Sequence, residues 1–394
     1  MTKPPDTQLP DDKAAARIMD AVVRLTCLAF IFTYLISWRL YAPDARIFLP
    51  TPIVPTLLRL SAQADWLLFG LNLYFFLWVL ISPASRIATL GAVVFTAVLM
   101  LQDINRLQPY DMMYGYTLLV ALFCRGDRQA GLTALRIMVC GVYFWGGFHK
   151  LNLNFYGTVF PWFIEPLHVL GPPPNNFIDD IFIVGMLATP LFEALIGILL
   201  LFPARRKRAT AMAFIMLVVV LACLGPFGHN WAMVVWPWNI WLFLVELYLF
   251  FHPTGLAAPF LLRPMRRHAF FSFLLFVVAP VTAMFTPWYT QPGFKLYSGN
   301  TPRGQVVFPM QETMARVPRY LRKAVTPMHT LDMNDWGIGA ELQNAPYPVP
   351  QVFRTGAAGL CPYLDYPKEA FIIVFDAPPF YSLQTQWKSY PLCE

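Results

Sequence analysis

One lysine carries much of the chemistry this sequence could do. Lys150 closes the run Gly146-Gly147-Phe148-His149 and is followed by Leu151-Asn152-Leu153-Asn154. Burial in apolar surroundings disfavours an ammonium ion, so an amine in this setting is a candidate general base. Polar residues gather at corresponding points of two further connections. Asp103, Asn105, Arg106, Gln108 and Asp111 follow one apolar run, and His229-Asn230 with Trp236-Pro237-Trp238-Asn239 open another. His229, Asp103 and Arg106 could polarise or orient a substrate brought to Lys150. His149, Asn152, Gln108, Asn230, Trp236 and Trp238 could line its binding site. The same residue types have a plainer use, because Trp, Asn and Lys also populate the belt where a protein meets a membrane surface.

The elements that position these residues are long apolar runs. Of 394 residues, 57% are hydrophobic and 13% charged, about half the charged share of a soluble domain. Runs such as Ile181–Phe202 and Ala209–Leu224 can cross a hydrocarbon core of about 30 Å. A water-soluble fold would have to bury all of these faces at once. The spacing predicts about nine transmembrane helices, over Arg17–Ala42, Trp66–Pro83, Ile87–Gln102, Pro109–Cys124, Gly131–Phe148, Ile181–Phe202, Ala209–Gly225, Trp231–Phe251 and Ala269–Thr286. The expected organisation is a short cytoplasmic tail (1–16), an all-α polytopic bundle (17–290) and a small extracytoplasmic α+β cap (291–394). The stretch before the first run is polar and acidic, with no small-residue cleavage site. It therefore reads as the lead-in to an anchor, not as a cleaved signal.

The net charge of +7 lies mostly in short loops, so it signals topology and anionic lipid, not nucleic acid. With the N-terminus inside, the cytoplasmic side holds Lys3, Lys13, Arg17, Arg86, Arg125, Arg128, Arg136, the cluster Arg205-Arg206-Lys207-Arg208, Arg263, Arg266 and Arg267. The outer side holds Arg39, Arg46, Arg59, Arg106 and Lys150. The polar residues around Lys150 then share the outer face, at the membrane of a bacterial cell, with the cap in the periplasm.

Two acids lie deeper, Glu193 and Glu246. Arg24 and Glu246 sit about equally far from the cytoplasmic ends of their spans, at ~1.5 Å per residue. A structural ion pair is expected between them, with Glu193 as the other possible partner of Arg24. Cys27, Cys124, Cys140 and Cys223 fall in or beside spans, where Cys packs as a small apolar residue. Cys361 and Cys393 are the two cysteines of the cap and are expected to form a disulfide there. In the cap, Pro309–Val325 reads as a short helix and Phe371–Phe375 as a β-strand. No G-x-S-x-G, H-E-x-x-H, C-x-x-C or P-loop sequence is present, and no metal site is expected.

At Val142–Phe155, V-Y-F-W-G-G-F-H-K-L-N-L-N-F, the chain resembles the vitamin K-dependent γ-carboxylase-related membrane proteins, the HTTM type. Leu101–Tyr110, Phe192–Pro203 and Gly228–Trp238 add to the likeness, which covers roughly residues 17–300. The resemblance implies a helical bundle with a lumenal site. Lys150 falls on the lysine that deprotonates reduced vitamin K. His149 stands where the carboxylase has a second lysine, Asn152 and Asn154 where it has acids, and Phe155 where it has tryptophan. These departures, and the shorter chain, point away from peptide carboxylation. They favour a quinone of the reduced naphthoquinone type, or another lipid-phase substrate. A non-catalytic membrane subunit binding a quinone, pigment, lipid or a larger protein complex is the other reading the residues leave open.

Overall fold

The structure, a computed structural model, describes residues 12–54, 60–170, 177–251 and 267–393, with residues 12, 168–170 and 177–187 described by backbone alone. Lys3, Arg59, Arg263 and Arg266 of the charge pattern lie outside the described residues.

The helices that dominate the chain are α1 (Asp12–Ile36), α2 (Ala62–Ile81), α3 (Arg86–Gln102), α4 (Pro109–Phe123), α5 (Arg128–Phe148), α6 (Phe177–Leu200), α7 (Arg206–Leu224), α8 (Val235–Phe251) and α9 (Arg267–Phe273). Irregular helical turns carry α9 on to Met284. Several starts are fixed by side-chain caps. Ser61, Ser85 and Asp127 accept from the backbone N–H three residues on, at 3.3, 3.2 and 3.0 Å, satisfying donors that a helix start leaves open.

Among the described residues, five helical segments are long and apolar enough to cross a membrane: Lys13–Ile36, Ala62–Ile81, Arg128–Phe148, Pro203–Leu224 and Arg267–Met284. Three more apolar helices are shorter, Arg86–Gln102, Ala188–Leu200 and Val235–Phe251. Large side chains such as Phe32, Leu67, Ile87, Phe123 and Phe270 are exposed on the flanks. So much apolar surface facing outward fits lipid better than water. The most apolar stretch of α5 is 83% buried, against 28% in α2 and in Arg267–Met284, so α5 runs through the middle of the bundle. Arg136 belongs to this buried helix, where its Nε donates to the Leu249 carbonyl at 2.7 Å. It is not the loop charge that the basic pattern supposed.

The cap is α+β. Strands β1 (Arg303–Val307), β2 (Thr330–Asp332), β3 (Phe371–Phe375) and β4 (Trp387–Pro391) form an antiparallel sheet in the order β2-β1-β3-β4. Helix α10 (Pro350–Ala358) follows β2 in the chain and buries Val352 and Phe353. The strand expected at Phe371–Phe375 is the third of the four. The helix expected over Pro309–Val325 is only one turn, Arg319–Arg322. Pro309 and Pro318 bracket a stretch of turns there, because each lacks the N–H that a helix would use. Cys361 and Cys393 are bonded, sulfur to sulfur, at 2.05 Å.

Candidate functional site

Glycines set the site by letting α5 and α6 meet at backbone distance. A Cβ on Gly147 would run into the backbone at Pro190 and Ala194, and one on Gly197 into the Cys140 carbonyl. A Cβ on Gly146 would stand 2.5 Å from Glu193 Oε1. The approach lays Glu193 of α6 against the end of α5, where the Lys150 ammonium forms an ion pair with it. Gly147→Leu should therefore part the two helices, a cost of about 1–3 kcal/mol or more. Its melting temperature in detergent should fall well below that of Gly115→Ala, where open space surrounds the added methyl. Equal melting would contradict this packing.

Lys150 and Glu193 face a cavity of about 330 Å³, within the size range of small-ligand sites. Its walls are mainly apolar and aromatic, among them Val142, Phe155, Phe163, Phe192, Trp238 and Leu242. The side chains of Lys150 and Glu193 are 16% and 15% exposed, so both are reachable from the cavity without standing free in solvent. Tyr143 lies in the same wall. Deeper in the bundle, the buried Glu246 of α8 accepts from the Thr210 hydroxyl at 2.5 Å.

The structure separates the other expected catalytic residues from this cavity. Asp103 is fully buried and accepts from Arg46 Nη2 at 2.5 Å and from the N–H groups of Thr51 and Asn105 at 3.2 and 3.1 Å. Arg106, equally buried, holds Asp65 through two bonds of 3.2 Å and donates to the carbonyls of Leu40 and Leu99. Both tie the loops between helices together, Arg106 through four donor bonds. His229 stacks on Trp162 with ring centres 4.4 Å apart, and its Nε2 lies 2.6 Å from the Trp162 carbonyl. It does not line the Lys150 cavity.

Of the expected binding residues, Trp238 alone lines that cavity. Asn152 is a joint: its Nδ2 donates to the carbonyls of His149 and Ser298, both at 2.9 Å. Gln108 reaches from bundle to cap, donating to the Ala345 carbonyl at 3.0 Å. Trp236 donates to the Leu224 carbonyl at 3.0 Å. Asn230 is exposed in the left-handed region at φ 50°, which asparagine tolerates better than most residues. His149 is fully buried with its ring stacked on Trp145.

Burial first, and then the charge of Lys295, push the His149 imidazole down from 6.5 to about 4, while the backbone at Pro280 and Gly293 acts the other way. The folded protein thus keeps His149 neutral where the unfolded chain would take up a proton. The stability this contributes is complete above about pH 6.5 and is lost as the pH falls towards 4, by roughly 1.4 kcal/mol per unit. His149→Phe should flatten that limb of a stability–pH profile in detergent, and an unchanged slope would contradict the assignment.

The ion pair expected between Arg24 and Glu246 is not formed. Arg24 is on the exposed face of α1, whereas Thr26, two residues on, faces α8 and accepts from Trp241 Nε1 at 3.0 Å. A step of two residues turns a helix by more than half a circle, enough to send Arg24 outward. Glu193 is likewise taken by Lys150. Sequence reasoning also missed Glu341. This buried cap residue accepts from the N–H groups of Ile47 and Phe48 at 2.6 and 2.9 Å, from Tyr320 at 2.9 Å and from Trp336 at 2.7 Å. It clamps the loop after α1 to the cap, and only its position five residues beyond a tryptophan hinted at it. No metal-holding group of three or more His, Cys, Asp or Glu side chains occurs among the described residues.

No family model, no curated protein and no solved structure matches the chain.

Proposed function

We propose that this protein is a membrane-embedded enzyme related to the vitamin K-dependent γ-carboxylases, with Lys150 as base toward a quinone or other lipid-phase substrate. The observation that carries this reading is the Lys150–Glu193 pair set into an otherwise mainly apolar cavity. An ion pair taken out of water is expensive to maintain, and ionisable residues inside membrane proteins mark substrate and ion paths. The chemistry follows from the two groups. The Lys150 ammonium first passes a proton to the Glu193 carboxylate, leaving a neutral amine beside a carboxylic acid; Lys150 Nζ then takes the proton of a substrate O–H, which leaves as its anion beside the re-formed ammonium. Tyr143, Phe155 and Trp238 offer flat faces to a ring, and the apolar walls exclude water that would compete for the proton.

In this reading nine helices span a bacterial inner membrane, with the N-terminus inside and the cap in the periplasm. The cavity then opens toward the outer leaflet, as the basic residues suggest. Alkaline phosphatase fused after Glu394 should be active, and inactivity would reverse the topology. In aerated proteoliposomes a reduced naphthoquinone should be oxidised faster with the protein than without it, dioxygen taking the electrons of the deprotonated quinol, and extracts of the purified protein should contain a quinone or lipid in stoichiometric amount.

A second reading, a non-catalytic subunit that binds quinone, pigment, lipid or a larger complex, has one observation in its favour. Of Lys150, His229, Asp103 and Arg106, only Lys150 lines the cavity. Stoichiometric copurification with other membrane proteins, with no turnover by the isolated chain, would decide for it.

A further inference from the structure

A second chamber, of about 350 Å³, lies between the bundle and the cap. It adjoins the Lys150 cavity, because Val159, Val235, Leu296 and Tyr297 line both. Its character is different. Lys295 and Arg303 bring two cations to its wall, against one carboxylate, Asp335. Lys295 is 5% exposed, and its Nζ donates to the Ala283 carbonyl at 3.2 Å and lies 5.6 Å from the centre of the Phe380 ring. Among the described residues neither Lys295 nor Arg303 has a carboxylate in ion-pair contact. Asp335 is exposed, so water screens it more than it screens Lys295. Two amides of the same wall, Gln291 and Asn344, are each 2% exposed. Each keeps one buried polar atom, Gln291 Oε1 and Asn344 Nδ2, without a hydrogen-bond partner. Unpartnered polar atoms at a buried wall are rare because each costs free energy, and a bound polar group is one way to satisfy them.

We propose that this chamber binds the oxyanion, carboxylate or phosphate, of an amphiphile whose apolar chain passes the shared wall at Tyr297 into the Lys150 cavity. The inference rests on reading that cavity as the site of a lipid-phase substrate, and it narrows the substrate class to an anionic amphiphile. Lys295 and Arg303 supply the charge, Asn344 Nδ2 a neutral donor, and Gln291 Oε1 an acceptor for a protonated oxygen of the head. The apolar walls beyond Tyr297 take the chain.

Three probes separate the contributions in the full chain held in neutral detergent: decyl phosphate, decanol and inorganic phosphate. Binding is read by native mass spectrometry and by the shift in melting temperature, so no turnover is needed. Decyl phosphate should bind at least about tenfold more tightly than decanol or phosphate. Lys295→Met and Arg303→Gln should each remove most of that preference. Arg303 is exposed, so its variant should melt like the parent without ligand and keeps the test valid if Lys295→Met does not fold. Equal binding of phosphate alone would reduce the chamber to a soluble-anion site and overturn the proposal. Equal binding of decanol would overturn it too, as would a preference that survives in Arg303→Gln. Because a Lys150→Arg chain should still prefer decyl phosphate, loss of the base assignment and loss of this site give different results.

Discussion

Lys150→Arg should fold, insert and melt as the parent does, yet lose turnover of a reduced naphthoquinone by about 10²–10⁴-fold, the usual contribution of a general base. Arginine can keep the ion pair with Glu193, since its guanidinium bonds carboxylates at least as well as an ammonium does. It cannot give up its proton in a protein. A residue that merely locks α5 to α6, or anchors the outer membrane face, would therefore tolerate the change. Lys150→Met should behave differently, because it leaves the Glu193 carboxylate without its cation in a largely apolar wall. Removing one partner of such a pair usually costs more than removing both. Lys150→Met should melt lower than the parent, and adding Glu193→Gln should restore much of the loss while turnover stays absent. Full turnover by Lys150→Arg would leave the enzyme reading without its base.

The position of Lys150 was legible in the sequence because its neighbours are distinctive: two glycines, an aromatic and two asparagines in nine residues. Its partner was not. Glu193 stood out as a deep acid, but a run of apolar residues tells only that a helix is buried, not which neighbour it faces. The glycines that bring α6 onto α5 are visible in the sequence, yet what approaches them, a helix or a ligand, is a tertiary fact. The same limit explains Arg24, whose depth matched Glu246 while its face did not. Caps and turns are local, so helix starts at Ser61, Ser85 and Asp127 follow directly from residue type. The strand at Phe371–Phe375 is legible because five apolar and β-favouring residues are consecutive. Its partners β1 and β4 carry Arg, Gly, Gln, Lys and Ser, so pairing with β3, not propensity, makes them strands. Asp103 and Arg106 were read as chemistry because charged residues near a membrane are costly. That cost is equally well met when each charge is fully paired.

Arg106→Met should be among the most destabilising single changes in the bundle, by about 3–5 kcal/mol, the usual range when one partner of a buried ion pair is removed. The guanidinium is fully buried and has four donor bonds, two to Asp65 and one each to the carbonyls of Leu40 and Leu99. It also lies over the Tyr41 ring, 5.2 Å from its centre. Methionine fills a similar volume but leaves Asp65 charged, 5% exposed and unpaired. Asp65→Asn in the same chain removes that charge, so the double variant should melt above Arg106→Met alone. The difference measures the coupling, and simple additivity of the two losses would deny it. The same experiment separates structure from catalysis at the loops that follow α1 and α3. If Arg106 only holds α1, α2 and α3 together, turnover per folded molecule should be unchanged in the double variant. Lost turnover in a chain that melts like the parent would return Arg106 to the substrate and remove the distinction drawn between its cluster and the Lys150 cavity.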